Sequence, residues 1–518
     1  MSKKPIITGA EAAMMVKDGM TVTTTGFVTA CMPETLNKAL EKRFLETGSP
    51  RDLTIFFAAS QGWNNGSGTD HYAHEGMTKR IVGGHWAFCP NCGKLALENK
   101  IEGYVLPQGV LAQMYRDVAG GRIGTITHVG LNTYADPRIE GGKLNARTTE
   151  DLVEVVNIHG KELLLYLAPK FDIAFIRGTY ADEKGNVSME HEIGPLDSTA
   201  VAEAVHNCGG KVIVQVERVV QVGSLDPKLV KIPGMLVDAI VVAEAPEDQD
   251  QCFNVHYDGS MTGDYRIPLD TLEIPPMSVK KIIGRRSAMF LEKDKVVNLG
   301  KGVPEYVASV ATEEGINDWM TLTVEAGGVG GVSQGDTKFG GAANPEAIIE
   351  EHALFDFYDG GGIDLAFLGL AQADEEGNIN VSKFGPKVTG PGGFVNITQN
   401  ARKVFYCGTF TAGGLKCAVK DGKLVILKEG KDKKFVKSVE QITFSGKYAR
   451  KVGQPVHYIT ERAVFELRQD GLYLTEVAPG IDIKTQVLDL MDFTPKMDGT
   501  PKLMDTRIFR DEPMGLGK

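Results

Sequence analysis

The sequence predicts an α/β protein made of two related open α/β domains with largely parallel sheets. Three observations carry that expectation. Apolar strand-like segments alternate with amphipathic helical segments in both halves of the chain. The halves repeat one another. The 518 residues exceed what a single core ordinarily holds.

The repeat is direct. Phe171-Asp172-Ile173-Ala174-Phe175 leads to Ala181-Asp182-Glu183-Lys184-Gly185-Asn186-Val187, and Ile363-Asp364-Leu365-Ala366-Phe367 leads to Ala373-Asp374-Glu375-Glu376-Gly377-Asn378-Ile379, an offset of 192 residues. Lys211 to Val214 and Lys403 to Tyr406 keep the same offset. Each unit reads as a strand, a turn built on Asp and Gly-Asn, and another strand. Earlier in each half a strand runs into a helix start, Met32-Pro33-Glu34 and Val303-Pro304-Glu305. Pro and Glu there suit a terminus whose first amides are unpaired. This second pair is offset by 271, so the first half carries about 80 extra residues between its motifs. Residues 1–265 therefore form the first domain, 266–281 (with Pro268, Pro275 and Pro276) the linker, and 282–518 the second domain. After Gly430 the pattern changes, with strand signals at Gln441–Phe444 and Val456–Ile459.

Composition narrows the function. Hydrophobic residues at 42% and charged residues at 24% describe an ordinary globular chain. A net charge of −11 argues against a nucleic-acid partner. No apolar run reaches the roughly 20 residues that span a bilayer, and residues 1–19 lack the zones of a signal peptide. Seven scattered cysteines point to the reducing cytoplasm. Cys89-Pro90-Asn91-Cys92 has no second pair nearby to complete a metal site, and reads as loop cysteines beside a turn.

The repeat breaks in one place. Aligning Leu53-Thr54-Ile55-Phe56-Phe57 with Leu322-Thr323-Val324-Glu325-Ala326 sets Glu325 against Phe56, and Gly327, Gly328, Gly330 and Gly331 follow. Parallel α/β sheets bind ligands beyond the carboxyl ends of their strands, where glycines let a ligand or a backbone approach closely. A glutamate marking where a strand leaves the core is the plainer reading. Gly390-Pro391-Gly392-Gly393 is a second glycine loop, either a tight turn or a set of amides aimed at negative charge. No Gly-Lys-Ser/Thr follows it. Pro107-Gln108-Gly109 resembles a turn that starts a helix, and no nucleophile elbow is present.

Taken in order, these segments, with Asn298 to Val307 and Tyr458 to Val464, resemble family I coenzyme A transferases with the two subunit types fused. Within that family the chain is most similar to the propionate (lactate) CoA-transferases. The resemblance implies an alpha-subunit-like first domain, a beta-subunit-like second domain carrying the catalytic glutamate, and an active site in the interdomain cleft. Glu325 would be the nucleophile that becomes a glutamyl-CoA thioester. Gly392, Gly393 and Gln108 would stabilise the oxyanion, and Gly390, Gly327 and Gly328 would line the coenzyme site. Many members have Glu-Asn-Gly where this chain has Glu325-Ala326-Gly327, so Ala326 takes no polar task. The implied reaction moves CoA from a short-chain acyl-CoA to a free carboxylate of propionate, acetate or lactate type, with ping-pong kinetics. The implied co-substrate is coenzyme A, with no metal or tightly bound cofactor. The implied assembly is a homo-oligomer, dimer or tetramer. An acyl-CoA hydrolase on the same fold and a non-catalytic acyl-CoA-binding protein remain open alternatives.

Overall fold

The apolar segments of the first half pair edge to edge into a fully parallel sheet, as strands joined through helical crossovers do. Its order is Ile6–Ile7, Ala239–Val242, Lys211–Val216, Ile173–Arg177, Thr21–Thr24, Leu53–Phe57, Thr78–Gly83 and Glu102–Val105. The computed structural model describes residues 2–268 and 274–517. Residues 269–273 of the expected linker lie outside the described residues. The last part of that linker is helical, because Ser278 caps the helix Val279–Ala288 by accepting from the Lys281 amide.

The second half builds its own sheet. Strands Met320–Val324, Lys295–Leu299, Leu365–Gly369, Lys403–Cys407 and Val456–Ile459 run parallel. The hairpin Ala463–Arg468 and Gly471–Val477 then extends the sheet antiparallel. The fold is thus α/β with large, mainly parallel sheets. Of the two C-terminal strand signals, Val456–Ile459 is a strand. The other leaves only an isolated bridge from Phe444 to Ile379. No helix among the described residues is long and apolar enough to cross a membrane.

The repeat is legible down to single hydrogen bonds. Tyr180 faces Ser188 and Ala181 faces Val187 in one hairpin, as Gln372 faces Asn380 and Ala373 faces Ile379 in the other. In each turn one Asp oxygen accepts two backbone amides, Lys184 and Asn186 for Asp182, Glu376 and Asn378 for Asp374. The other oxygen accepts from the Asn side chain. Such local side-chain-to-backbone bonding is what makes Asp and Asn turn residues.

The register corrects the alignment at Glu325. Val22 faces Ile55 and Ile173 in the first sheet; Val297 faces Leu322 and Leu365 in the second. Ile173 and Leu365 are repeat equivalents, so Ile55 answers Leu322, and Ala58 rather than Phe56 answers Glu325. Phe56 is a core residue, its ring edge-on to Tyr115 and Phe171 at 5.4 and 5.2 Å.

Sequence halves and compact units also part company. One unit comprises Met1–Ile267, Val324–Asp356 and Phe384–Asn396; the other comprises Pro268–Thr323, Phe357–Lys383 and Ile397–Lys518. Glu325 and the Gly390–Gly393 loop thus belong to the same unit as the first half. The stretch inserted in the first half supplies helix Gln108–Ala119 and an antiparallel sheet of Gly124–Thr127, Lys161–Leu167 and Val153–Ile158. Cys89 and Cys92 are not loop cysteines. Cys89 caps the helix Pro90–Leu97, Cys92 lies in its first turn, and both are buried free thiols.

Candidate active site

Strand Met320–Val324 ends one residue before Glu325, so the carboxylate sits at the carboxyl end of a parallel strand. Two donors converge on it. The Gly393 peptide N–H donates to the carboxylate, and Gln108 Nε2 stands 3.5 Å from Oε2. Glu325 is partly buried. Burial pushes its carboxyl up to about 7, and the Gly393 bond offsets only part of that shift.

Local chain geometry explains how the donors arrive. Gln108 is the first residue of its helix, after Pro107. Its own backbone N–H donates to the Gly392 carbonyl at 3.2 Å, and the Gly392 N–H donates to the Gly84 carbonyl at 3.0 Å. Trp86 N donates to the Thr389 carbonyl at 2.8 Å. The glycine loop is therefore laced to residues 84–86 and 108. Helices Gln108–Ala119 and Glu351–Asp359 are joined by Gln113 Nε2 to Asp356 Oδ1 at 3.1 Å and by the Arg116–Asp356 ion pair. Gly109 N donates to Asn396 Oδ1 at 3.2 Å, fixing the start of the first helix.

The expected site glycines divide by role. Gly393 faces Glu325: a Cβ there would lie 2.7 Å from Glu325 Cδ and Oε2. Gly392 does not offer its amide to the site, because Gly84 already accepts it. Gly392 instead backs Gln108, whose Oε1 lies 3.4 Å from the position of a Gly392 Cβ. Gly390 packs backbone to backbone against Gly84 and His85. At Gly327, with φ 114°, a Cβ would meet the Ile349 carbonyl oxygen at 2.0 Å; at Gly328 it would meet Ala342 Cβ at 3.1 Å. Chain packing accounts for both of these residues, so they need no ligand to explain them.

Two acids escaped sequence reasoning. Glu351 Oε1 accepts the short bond from Gln108 Nε2, at 2.7 Å, and Glu351 is in turn hydrogen-bonded to the carboxyl of Asp197. Burial and mutual repulsion raise Glu351 well above the usual carboxylate range. Burial likewise pushes Asp197 up to about 7. A usable signal exists in hindsight, since Glu351 opens its helix as Gln108 opens its own. Among the described residues no cluster of three or more His, Cys, Asp or Glu side chains could hold a metal ion.

Chemically, the arrangement presents one ionisable carboxyl group between two N–H donors. That is the equipment for acyl transfer through a covalent carboxyl intermediate.

Comparison with known proteins gives the family. Residues 7–243 match the model of the family described as Coenzyme A transferase. The chain is 46% identical to caffeate CoA-transferase of Acetobacterium woodii, covering 98% of each chain. It is 42% identical to acetate CoA-transferase YdiF of Escherichia coli (strain K12), covering 99% of this chain and 96% of that one. The crystal structure of acyl-CoA transferase YdiF from E. coli O157:H7 in its thioester complex with CoA superposes with a TM-score of 0.93 at 41% identity. That match covers 99% of this chain and 97% of the other. On fold, site geometry and end-to-end identity together, this protein is a member of the coenzyme A transferase family.

Proposed function

We propose that the protein transfers coenzyme A from a short-chain acyl-CoA to a free short-chain carboxylate, of propionate, acetate or lactate type, through a glutamyl-CoA thioester on Glu325. The observation that carries this reading is the convergence of the Gly393 N–H and the Gln108 amide on the Glu325 carboxylate. The thioester complex of YdiF, at 41% identity, supports it.

Each step balances. A Glu325 carboxylate oxygen attacks the acyl carbonyl carbon, the C–S bond breaks, and CoA leaves as thiolate, giving a mixed anhydride of Glu325 and the acyl group. The thiolate then attacks the Glu325 carbonyl carbon, the first acid departs as carboxylate, and CoA is left on the glutamyl group. A second carboxylate runs both steps in reverse. The tetrahedral intermediates place negative charge either on the acyl oxygen beside Glu325 or on an oxygen of Glu325 itself. A preorganised donor at such a position is worth about 3–4 kcal/mol. Gly393 and Gln108 are the donors in reach, and coenzyme A is a co-substrate of this chemistry.

The test is intact-mass measurement after mixing the protein with propionyl-CoA in the absence of acceptor acid. A CoA adduct on the peptide containing Glu325, discharged by acetate, is the expected result. Steady release of free CoA without acceptor would make the protein a hydrolase, and neither adduct nor turnover would leave it a binding protein. Adding a cinnamic-type acid as alternative acceptor measures how far the acyl site departs from the short acids, given the caffeate enzyme among its relatives.

A pH dependence follows. Only the ionised carboxylate attacks, and burial holds its protonation near 7. We expect kcat/KM to rise with pH up to about 7 and then level off. An acidic limb that instead ends near the ordinary glutamate value of about 4.3 would contradict a desolvated nucleophile.

A further inference from the structure

Resting on the glutamyl-thioester reading, we propose that Glu351, carrying a proton held in its hydrogen bond to Asp197, is the positioning residue that turns the N–H face of the Gln108 amide toward Glu325.

The argument starts from an ambiguity. A glutamine amide is nearly symmetric in shape, and flipping it would point a carbonyl oxygen at the nucleophile, where it would repel a developing oxyanion instead of stabilising it. Something must decide the orientation. Gln108 Nε2 is within bonding reach of two carboxyl oxygens, Glu351 Oε1 at 2.7 Å and Glu325 Oε2 at 3.5 Å, while its Oε1 faces Gly392. The stronger bond goes to Glu351, a side chain only 1% exposed. That residue is fixed where it stands: its backbone N–H donates to the Leu196 carbonyl at 3.1 Å, and it opens the helix Glu351–Asp359.

Glu351 and Asp197 are two buried carboxyls in hydrogen-bonding contact. Two ionised carboxylates in that position would repel strongly, so the pair must share a proton. Among the described groups facing the pair, Glu325 adds negative charge, and Tyr115 is buried and neutral, its hydroxyl hydrogen-bonded to Thr23 at 2.8 Å. The His352 peptide N–H donates to Asp197, and its ring, with Nδ1 4.0 Å from Asp197 Oδ1, is held toward the neutral form by desolvation. With the proton between them, Glu351 donates toward Asp197 through one oxygen and accepts from Gln108 through the other. This arrangement fixes the amide before substrate arrives, which is the preorganisation that acyl transfer needs.

A glutamine at position 351 reproduces that pattern, with its carbonyl toward Gln108 and its NH2 toward Asp197; a leucine does not. We therefore expect Glu351→Leu to lower kcat on the order of 100-fold with KM little changed, and Glu351→Gln to restore it to within a few-fold of wild type. In a Gln108→Leu background, Glu351→Leu should add little further loss, because its effect runs through that side chain. Thermal melts of all variants separate misfolding from mispositioning. A full second loss in the Gln108→Leu background, or no rescue by Glu351→Gln in a protein that melts normally, overturns the proposal. Infrared difference spectra of wild type minus Glu351→Gln at pH 8, without substrate, should show a carboxylic-acid carbonyl band; its absence also overturns the proposal. That spectral result is independent of turnover, so failure of the CoA-transfer reading would show in the adduct experiment and leave the spectrum unaffected.

Discussion

Replacing Glu325 with Gln is expected to reduce CoA transfer by on the order of 10⁴-fold or more while leaving the fold intact. The amide keeps the shape of the side chain and can still accept from the Gly393 N–H, but it has no nucleophilic oxygen anion. Burying an amide here also removes the cost of holding a desolvated carboxyl, whose protonation is already displaced to about 7. The variant should therefore melt at or slightly above the wild-type temperature. Intact mass after mixing with propionyl-CoA should show no adduct. Activity within 100-fold of wild type would place the nucleophile elsewhere.

Gly393→Ala should have the next largest effect, a fall in kcat/KM of about 10² to 10³. The new methyl would stand 2.7 Å from both the carboxyl carbon and one oxygen of Glu325, well inside carbon contact distance. Gly390 and Gly392 have φ of 66° and 57°, whereas Gly393 is not among the glycines with positive φ. Alanine is thus conformationally acceptable at 393, and the damage should be confined to the nucleophile and its amide donor. A melting temperature within a few degrees of wild type, alongside the kinetic loss, would confirm that. Near-normal kcat/KM would mean that the Glu325–Gly393 approach is not the reacting geometry.

How much of this could be read in the sequence depends on the range of the interactions. The repeated hairpins were legible because Asp182 and Asp374 bond to amides only two and four residues away. The two-residue slip that paired Glu325 with Phe56 has a physical cause. Side chains alternate with period two along a strand, so a shift of two keeps the same face buried and leaves the apolar pattern unchanged. Glu325 stood out by its chemistry at a strand end. Gln108 and Gly393 look like turn residues on local grounds, and resemblance to a family brought them forward. Glu351 offered only its place at a helix start and Asp197 nothing, since their meaning lies in bonds to partners 243 and 154 residues away in sequence. Gly327 and Gly328 show the same ambiguity, because a glycine required by close chain packing looks in sequence like one required by a ligand.

After leaving the first compact unit, the chain returns to it twice, with Val324–Asp356 and Phe384–Asn396. Separate genes for the two sequence halves would consequently not yield two self-sufficient products. The first product would lack Glu325, Gly393 and the helix bearing Glu351, and would present unfilled seams where those segments belong. Neither product could be screened alone for partial activity, and directed evolution on one would select for reassembly before it selected for chemistry. Fusion in a single polypeptide makes that reassembly intramolecular, so the enzyme's activity should not depend on the dosage of two genes.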